Sequence, residues 1–332
     1  MKPSLLRLGL LSCPECGKGL ALSATHRDGD EVMEGALTCK GCRRSFPILR
    51  GVPRLLPDSL MEESRKTAEQ FGYQWERFDK LDAIYEQQFL DWIAPVGRDF
   101  FEGKVVLEGG CGKGRHTDVA ARFGAKAVVA VDLSVAVDVA FRNCRHLPNV
   151  HVVQADINRL PLLRAFDYAF SVGVLHHLPD PRKGFLSLAS KVKKGGSASV
   201  WVYGAEGNEW ITNYLDPIRT RVTSRMPKGV LYPLAGLLTV PLWTATKLVY
   251  GPVAKIGPLS PLKRVLFYFD YLAYISKLSF RDQYNIVFDH LIPPVAFYHR
   301  RDEIEEWFRS AGSKNAQLFW HNKNSWRGFG RI

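Results

Sequence analysis

The chain has 332 residues, with 45 Lys and Arg against 33 Asp and Glu, so its formal net charge is +12 at neutral pH. Hydrophobic residues make up 46% of the sequence and charged residues 23%, which is typical of globular proteins and excludes a largely disordered chain. The length is sufficient for two domains, or for one domain with additions.

The first predicted unit spans residues 1–57 and carries two CxxC pairs, Cys13–Cys16 and Cys39–Cys42. Four thiolates on two tight turns can enclose one tetrahedral zinc ion, and so short a unit needs the metal to fold. The unit resembles the small zinc-ribbon proteins that activate tRNA methyltransferases, which implies a structural or partner-binding role. We expect a ribbon separate enough that its loss leaves cofactor binding largely intact.

The same cysteine pattern bears on location. Paired cysteines that bind metal indicate a reducing compartment, and the apolar stretch before Cys13 lacks the features of a signal peptide. The sequence therefore predicts a cytoplasmic protein, with a position at the inner face of a membrane as a further option.

Residues 58–100 are predicted to form a helical linker that caps the next unit. Phe71, Trp75 and Phe78 recur with helical spacing and define its apolar face. Tyr73, Gln74 and Arg77 are candidates for contact with a bound cofactor or substrate.

Residues 101–203 alternate apolar strands with helices, and acidic residues follow several strands. The strand 105–109 contains Glu108 and leads into a turn with glycine at every second position, 110 to 114. Such glycines let the backbone approach a ligand closely. Asp132 ends the next strand, where a carboxylate can bind ribose hydroxyls. A nicotinamide dinucleotide site is an alternative for this turn alone, whereas the lack of Gly-Lys-Ser/Thr excludes a P-loop.

These motifs, together with Asp156 and the segment GVLHHLPDP, resemble motifs I to IV of class I S-adenosylmethionine (SAM)-dependent methyltransferases of the type 11 group. The resemblance implies that Asp132 binds the ribose and Asp156 the adenine amino group. The full expected set for SAM is Glu108, Gly110, Cys111, Gly112, Gly114, Asp132, Leu133, Asp156, Ile157, Ser171 and Val172. It also implies an α/β fold with a seven-stranded Rossmann-like sheet.

Residues 204–299 are predicted to be a helical insertion over the substrate, before the C-terminal part of the core at 300–332. Residues 217–269 contain eight Lys or Arg and no Asp or Glu, and residues 229–246 carry no charge. Three interpretations stay open: buried cap helices, an element at the surface of an anionic membrane, and an RNA-binding surface. Prolines 233 and 241 argue against a continuous membrane span.

The candidate catalytic residues lie after the fourth core strand and near a double proline in the insertion. They are His176, His177, His290, Tyr298 and His299. A hydroxyl or amine acceptor would need such a group to take its proton. We expect a methyltransferase whose acceptor is a small, lipophilic or lipid-linked metabolite, with an RNA base methyltransferase and a non-catalytic scaffold as alternatives.

Overall fold

The computed structural model describes residues 1–332, and its N-terminal part is a small antiparallel sheet. Its elements are α1 (Ser4–Arg7), β1 (Leu20–Asp28), β2 (Glu31–Cys39), β3 (Ser45–Leu49) and β4 (Val52–Pro53). The register of β1 and β2 places Leu20 opposite Cys39. Both CxxC pairs therefore lie at the same end of this sheet.

Seven further strands form one mixed sheet in the order β10-β11-β9-β8-β5-β6-β7. They are β5 (Val105–Gly109), β6 (Ala127–Asp132), β7 (Val150–Gln154), β8 (Phe166–Val172), β9 (Val192–Tyr203), β10 (Gln317–His321) and β11 (Ser325–Arg331). Strands β5 to β9 are parallel, and the β10–β11 hairpin adds antiparallel to β9. The nearly continuous apolar runs of β5, β6 and β8 suit strands buried on both faces. The predicted fold class is confirmed.

Helices surround this sheet, and five of them belong to the insertion. The bounds are α2 (Glu62–Arg77), α3 (Ile84–Ile93), α4 (Arg115–Arg122), α5 (Ala136–Cys144), α6 (Pro181–Ala189), α7 (Asp216–Arg221), α8 (Lys228–Ala245), α9 (Gly251–Lys255), α10 (Phe269–Ile275), α11 (Phe280–Leu291) and α12 (Arg301–Ser310). On one face of the sheet, Val106 and Val128 pack in an apolar cluster with side chains of α3, α4 and α5. Their neighbours Leu107 and Val129 point to the opposite face, as the alternation along a strand requires.

The zinc ribbon covers that opposite face. Leu5, Leu37 and Ile48 belong to the same apolar cluster as Leu107 and Val129 of the sheet. The ribbon also continues the sheet beyond its edge strand, because the backbone N–H of Leu55 donates to the carbonyl of Gln154 at the end of β7, with an N···O distance of 2.9 Å. The ribbon and the sheet thus share one apolar core.

The insertion contains an unusually long helix. A π-helical turn at Thr246–Tyr250 joins α8 to α9, so that one helix of 28 residues runs from Lys228 to Lys255. It is the one helix long and apolar enough to cross a membrane, which by itself is weak evidence for a span. Leu231 and Ala235 pack against Phe288 of α11, and this packing holds α8 together although Pro233 and Pro241 lie inside it.

One boundary differs from the sequence prediction. The sequence after the core motifs predicts a helix over residues 181–194 and a strand over residues 197–203. The helix instead ends at Ala189, and β9 already begins at Val192. A register irregularity between β8 and β9 follows Phe166, which pairs with Val192, while Tyr168 pairs with Ser197. Gly195, with φ of 82°, lies in this irregular part and lets the strand continue through it.

Candidate functional site

The main cavity lies at the carboxyl ends of the parallel strands, between the sheet, α2 and the insertion. It contains about 1700 Å³ of empty space, including its opening to solvent. One half is lined by the glycine turn, Asp132 and Asp156, and the other half by side chains of the insertion and of the last hairpin turn. Ligands of open α/β sheets bind at this end of the strands.

The glycine turn forms the floor of the first half. Gly110 and Gly112 both have left-handed backbone angles, with φ of 80° and 51°. A Cβ atom on Gly110 would lie 2.3 Å from Val174, and one on Gly112 would lie 2.9 Å from the Trp75 indole nitrogen. The close packing therefore requires glycine at both positions, and the space above the turn stays free for a ligand.

Two carboxylates lie beside this turn. Asp132 accepts hydrogen bonds from the backbone N–H of Gly112 at 2.8 Å and from the backbone N–H and hydroxyl of Ser134. Burial raises the pKa of Asp132. Asp156 accepts a hydrogen bond from the backbone N–H of Asn158, which fixes its side chain at the start of a short 3-10 turn. Both side chains line the cavity.

The expected SAM residues divide into those that line the cavity and those that lie beneath it. Glu108 is 2% exposed, receives a hydrogen bond from the Thr117 hydroxyl, and burial raises its pKa to about 8. The Ser171 hydroxyl donates to the carbonyl of Gly109, which supports the turn from below. Gly114 packs against Cys144. The expected residues that line the cavity are Gly110, Cys111, Gly112, Asp132, Leu133, Asp156, Ile157 and Val172.

Lys113 and Arg115 were not in the predicted set, yet they are the only Lys or Arg side chains that line the cavity. The Lys113 ammonium group donates to the carbonyl of Lys80 and to the hydroxyl of Tyr85. Burial lowers the pKa of Lys113 to about 7. The signal in the sequence was the position of Lys113 inside the glycine turn, where its side chain lies close to the ligand space.

The second half of the cavity is assembled from three distant segments. The Tyr203 hydroxyl at the end of β9 donates to Asp289 of α11 at 3.0 Å. The Gln74 amide of α2 donates to Asp289 at 3.1 Å and to Asn285 at 2.8 Å. Gln74 is fully buried and does not line the cavity, nor do Tyr73 and Arg77, which contact each other through a cation–π interaction. None of these three α2 residues therefore reaches the cavity, and Gln74 instead orients residues of the insertion.

The structure separates the five candidate catalytic residues. His177, His290 and Tyr298 line the cavity. His176 lies outside it, fully buried with its ring 3.9 Å from that of Tyr203, because the 3-10 turn Leu175–His177 points its side chain inward. His299 also lies outside, where its ring nitrogen is 3.1 Å from Glu303 of α12.

The histidines that line the cavity are held in the neutral form. Burial lowers the pKa of His290 to about 4, and burial also lowers the pKa of His177. One ring nitrogen of His177 lies 2.9 Å from the carbonyl of Val295, whereas Nδ1 of His290 has no hydrogen-bond partner. The hydroxyl of Tyr298 has no well-aligned hydrogen bond and lies near the buried Arg219 side chain.

The four cysteines of the ribbon form a metal site. Their sulfur atoms all lie within 4.8 Å of one another, with Cys13 and Cys42 separated by 3.7 Å and Cys16 and Cys39 by 3.4 Å. Zn–S bonds of about 2.3 Å at tetrahedral angles require sulfur atoms about 3.8 Å apart. Backbone N–H groups of Glu15 and Gly41 donate to two of the sulfurs, as expected for thiolates. The set fits a structural zinc ion, as predicted.

Comparison with known protein families agrees with the prediction for the methyltransferase core and with that for the zinc ribbon. Residues 107–200 match the family described as methyltransferase domain, and residues 5–51 match the family described as Trm112p-like protein. The chain thus contains a SAM-type methyltransferase domain and a zinc ribbon of the Trm112 type.

Several of the curated relatives are named for tRNA modification. A tRNA U34 carboxymethyltransferase of Pseudoalteromonas translucida is 34% identical over 111 residues, which are 32% of this chain and 34% of the relative. The Sodalis glossinidius protein of the same name is 29% identical over 206 residues, which cover 61% of this chain and 55% of the relative. The chain therefore spans about a third to a half of the length of these relatives.

Among solved structures, the complex of the Haloferax volcanii Trm112 methyltransferase activator with a methyltransferase shares 13% identity, at a TM-score of 0.43. The match covers 82% of this chain and 99% of that one. A score this low supports no inference about function.

The relatives correct the predicted acceptor. Their names refer to tRNA, so the expectation of a small, lipophilic or lipid-linked metabolite is wrong, and the RNA alternative is the better supported one. The predicted contact with an anionic membrane rested on a lipid-linked acceptor, so it is no longer supported. The composition of the long apolar helix misled the sequence prediction, because apolar and basic residues occur together in both kinds of surface.

Proposed function

We propose that the protein is a SAM-dependent methyltransferase that modifies a base in RNA, with tRNA as the RNA class. The observation that carries this proposal is the pairing of one cavity, built on the glycine turn and two acidic strand ends, with relatives named for tRNA modification. An intact set of this kind also argues against the non-catalytic scaffold.

The first half of the cavity has groups suited to SAM. Asp132 would accept hydrogen bonds from the ribose hydroxyls, and Asp156 with Ile157 would hold the adenine ring. Gly110 and Gly112 leave the space that the cofactor would fill, since any Cβ there would clash. Arg115, directly after the glycine turn, puts positive charge beside the space in which a carboxylate group of the cofactor would lie.

Bound SAM supplies an electrophilic methyl group, so the chemical task of the protein is mainly to hold the acceptor in line with that group. The side chains for this task come from the second half of the cavity. Tyr203 and Asp289 are linked by a hydrogen bond there, and burial keeps the pKa of Tyr203 well above its usual value, so its hydroxyl stays protonated.

The charge of the insertion supports an RNA substrate. Five of its eight basic residues in 217–269 are exposed: Arg221, Arg225, Lys255, Lys263 and Arg264. No acidic residue of this segment opposes them. Exposed Lys and Arg can contact phosphates, and each such contact makes binding weaker at higher salt. A tRNA substrate also fits the predicted cytoplasmic location.

The test is transfer of a labelled methyl group from SAM to purified tRNA. We expect label that RNase releases and protease does not, and weaker tRNA binding as salt rises. Asp132→Ala should lower SAM affinity at least tenfold, because hydrogen bonds to a charged group contribute about 1.5–3 kcal/mol each. Asp302→Ala, on the exposed part of α12, is the matched control.

Label found only in lipid or small-molecule fractions, from a protein that binds SAM with normal affinity, would refute an RNA substrate. Unchanged SAM affinity of Asp132→Ala in calorimetry would refute the proposed cofactor site.

A further inference from the structure

We infer that the second half of the cavity is a slot for one unstacked nucleobase, and that Asn285 and Asp289 read its Watson–Crick edge. This inference rests on the proposed function and specifies which part of an RNA the site would hold. It depends on three features of the slot: its charge, its aromatic wall and a donor–acceptor pair on α11.

The charge of the slot is set by Asp289. The other carboxylate, Asp282, accepts a hydrogen bond from the Tyr85 hydroxyl, which in turn accepts one from the Lys113 ammonium group, so Asp282 already lies close to a cation. Asp289 accepts hydrogen bonds from Tyr203 and Gln74 and forms no ion pair with Lys or Arg. A phosphate or carboxylate placed beside Asp289 would meet like charge. An uncharged group therefore fits this part of the slot, and the phosphates of an RNA would remain outside.

One wall of the slot is aromatic. Tyr268, Tyr271 and Tyr274 recur every three residues in and just before α10, and all three line the cavity. Tyr271 and Tyr274 are three residues apart within α10 and therefore lie on one face of that helix. Trp201 and Tyr203 of β9 line the same cavity. Aromatic side chains are the usual surface against which an unpaired RNA base stacks.

The donor–acceptor pair lies one helical turn apart on α11. A single Gln74 amide nitrogen contacts Oδ1 of Asn285 at 2.8 Å and Oδ1 of Asp289 at 3.1 Å. The carboxylate of Asp289 can only accept hydrogen bonds when ionised, so the Gln74 nitrogen must face it. The same nitrogen then faces the oxygen of Asn285, which leaves the Asn285 NH2 group free to donate.

This arrangement presents an acceptor beside a donor. The four bases all place a hydrogen-bond donor next to an acceptor on their Watson–Crick edges, the edge that single-stranded RNA exposes. A hydrocarbon or a simple phenol offers no such pair. Asn285 and Asp289 both line the cavity, so a base in the slot can reach them.

Binding of free nucleosides tests the slot without methyl transfer. Trp75 and Trp201 line the cavity, so their fluorescence can report binding of uridine, cytidine, adenosine and guanosine. We expect saturable binding of at least one nucleoside. Its counterpart methylated on the ring nitrogen of the Watson–Crick edge should bind at least tenfold more weakly.

Matched variants separate the two contributions. Asp289→Asn should weaken nucleoside binding about ten- to hundredfold through loss of a charge-assisted hydrogen bond, whereas Asp302→Asn should not change it. Tyr271→Ala should weaken binding about tenfold or more through loss of stacking, while Tyr271→Phe should retain it. Tyr214→Ala is the control for a tyrosine of the insertion that is 72% exposed and does not line the cavity. SAM affinity and melting temperature of each variant identify any general loss of folding.

The outcomes also separate this inference from the proposed function. If tRNA is methylated while edge-methylated nucleosides bind as well as their parents, or no nucleoside binds, the base slot is refuted and the RNA methyltransferase stands. If nucleosides bind as expected while tRNA accepts no methyl group, the slot stands and the tRNA substrate is refuted.

Discussion

The zinc ribbon (residues 1–57) and the insertion (residues 204–299) are two additions to the same sheet, and they are attached in different ways. Apolar residues of the ribbon are mostly buried against the sheet, and Leu49 is its only large apolar side chain with high exposure. The insertion leaves many such side chains exposed, among them Leu237, Leu248 and Val265. Its apolar contacts are made with the linker, where Phe78 packs against Leu231 and Phe288 in a cluster that contains no residue of the sheet. Its links to the end of the sheet run through polar groups around the cavity.

This difference indicates different roles. A unit that shares the apolar core contributes to the free energy of unfolding of the whole chain, whereas a unit attached around a cavity can change its contacts without unfolding the core. We therefore expect changes in the ribbon to affect stability first, and changes in the insertion to affect acceptor binding first.

The largest effect is expected from loss of zinc. Structural zinc contributes about 10–16 kcal/mol to the folding of small metal-binding peptides, and a whole domain is stable by only about 5–15 kcal/mol. Cys39→Ser should therefore unfold the ribbon, uncover Leu107 and Val129 of the sheet, and lower both the melting temperature and SAM affinity. Calorimetry measures the melting temperature and the SAM affinity, and elemental analysis measures the bound zinc. Lys40→Ser, an exposed neighbour, is the control.

This expectation replaces the one drawn from the sequence, in which the ribbon was separate enough for SAM binding to survive its loss. Zinc-free Cys39→Ser protein that binds SAM within twofold of the original affinity would restore the idea of a separate ribbon.

A second test concerns the buried ion pair between the ribbon and the core. Arg54 follows β4 and contacts Asp138 of α5 at 2.5 Å, and both side chains are about nine-tenths buried. Removal of Arg54 leaves the buried Asp138 carboxylate with only the exposed Arg50, at 2.6 Å, as a charged partner, so Arg54→Met should cost up to about 3–5 kcal/mol of unfolding free energy. Urea denaturation of Arg54→Met, Asp138→Leu and the double variant measures the coupling. The double variant should be more stable than the sum of the single effects implies, and simple additivity would contradict the pairing.

Two identical substitutions compare the apolar contacts of the regions. Leu37 of the ribbon is fully buried and Leu248 of the insertion is 72% exposed. Leu37→Ala should cost about 2–5 kcal/mol of unfolding free energy because it leaves a cavity in the shared core. Leu248→Ala should change that free energy by less than about 0.5 kcal/mol. Equal urea midpoints for the two variants would show that the ribbon does not share the core.

The sequence predicted the parts of the site that are encoded locally. The glycine turn and its neighbours at Asp132 and Asp156 follow strands directly, so their positions relative to the sheet come from the strand pattern alone. The four cysteines are likewise recognisable from spacing, because two turns suffice to place the ligands.

The parts that were missed depend on contacts between distant segments. Gln74, Tyr203 and Asp289 meet only after the insertion folds back over the sheet, and no local pattern encodes that meeting. The sequence also could not show which of the neighbouring residues His176 and His177 faces the cavity, and in the structure only His177 lines it. The contact of the ribbon with the sheet also joins residues far apart in sequence, such as Arg54 and Asp138. Periodicity within a segment contains no information on these pairings.

The smallest expected effect comes from an ion pair that attaches the insertion to the linker. Arg281 of α11 lies 2.9 Å from Asp79, with both side chains nearly half exposed. Water and salt screen such a pair, so its contribution is about 0–1 kcal/mol, well below that of the buried Arg54–Asp138 pair. Asp79→Asn should therefore shift the urea midpoint only slightly, and the shift should shrink at high salt. If Asp79→Asn destabilises the chain as much as Arg54→Met at any salt concentration, the insertion is as integral to the core as the ribbon, and the division between the two additions fails.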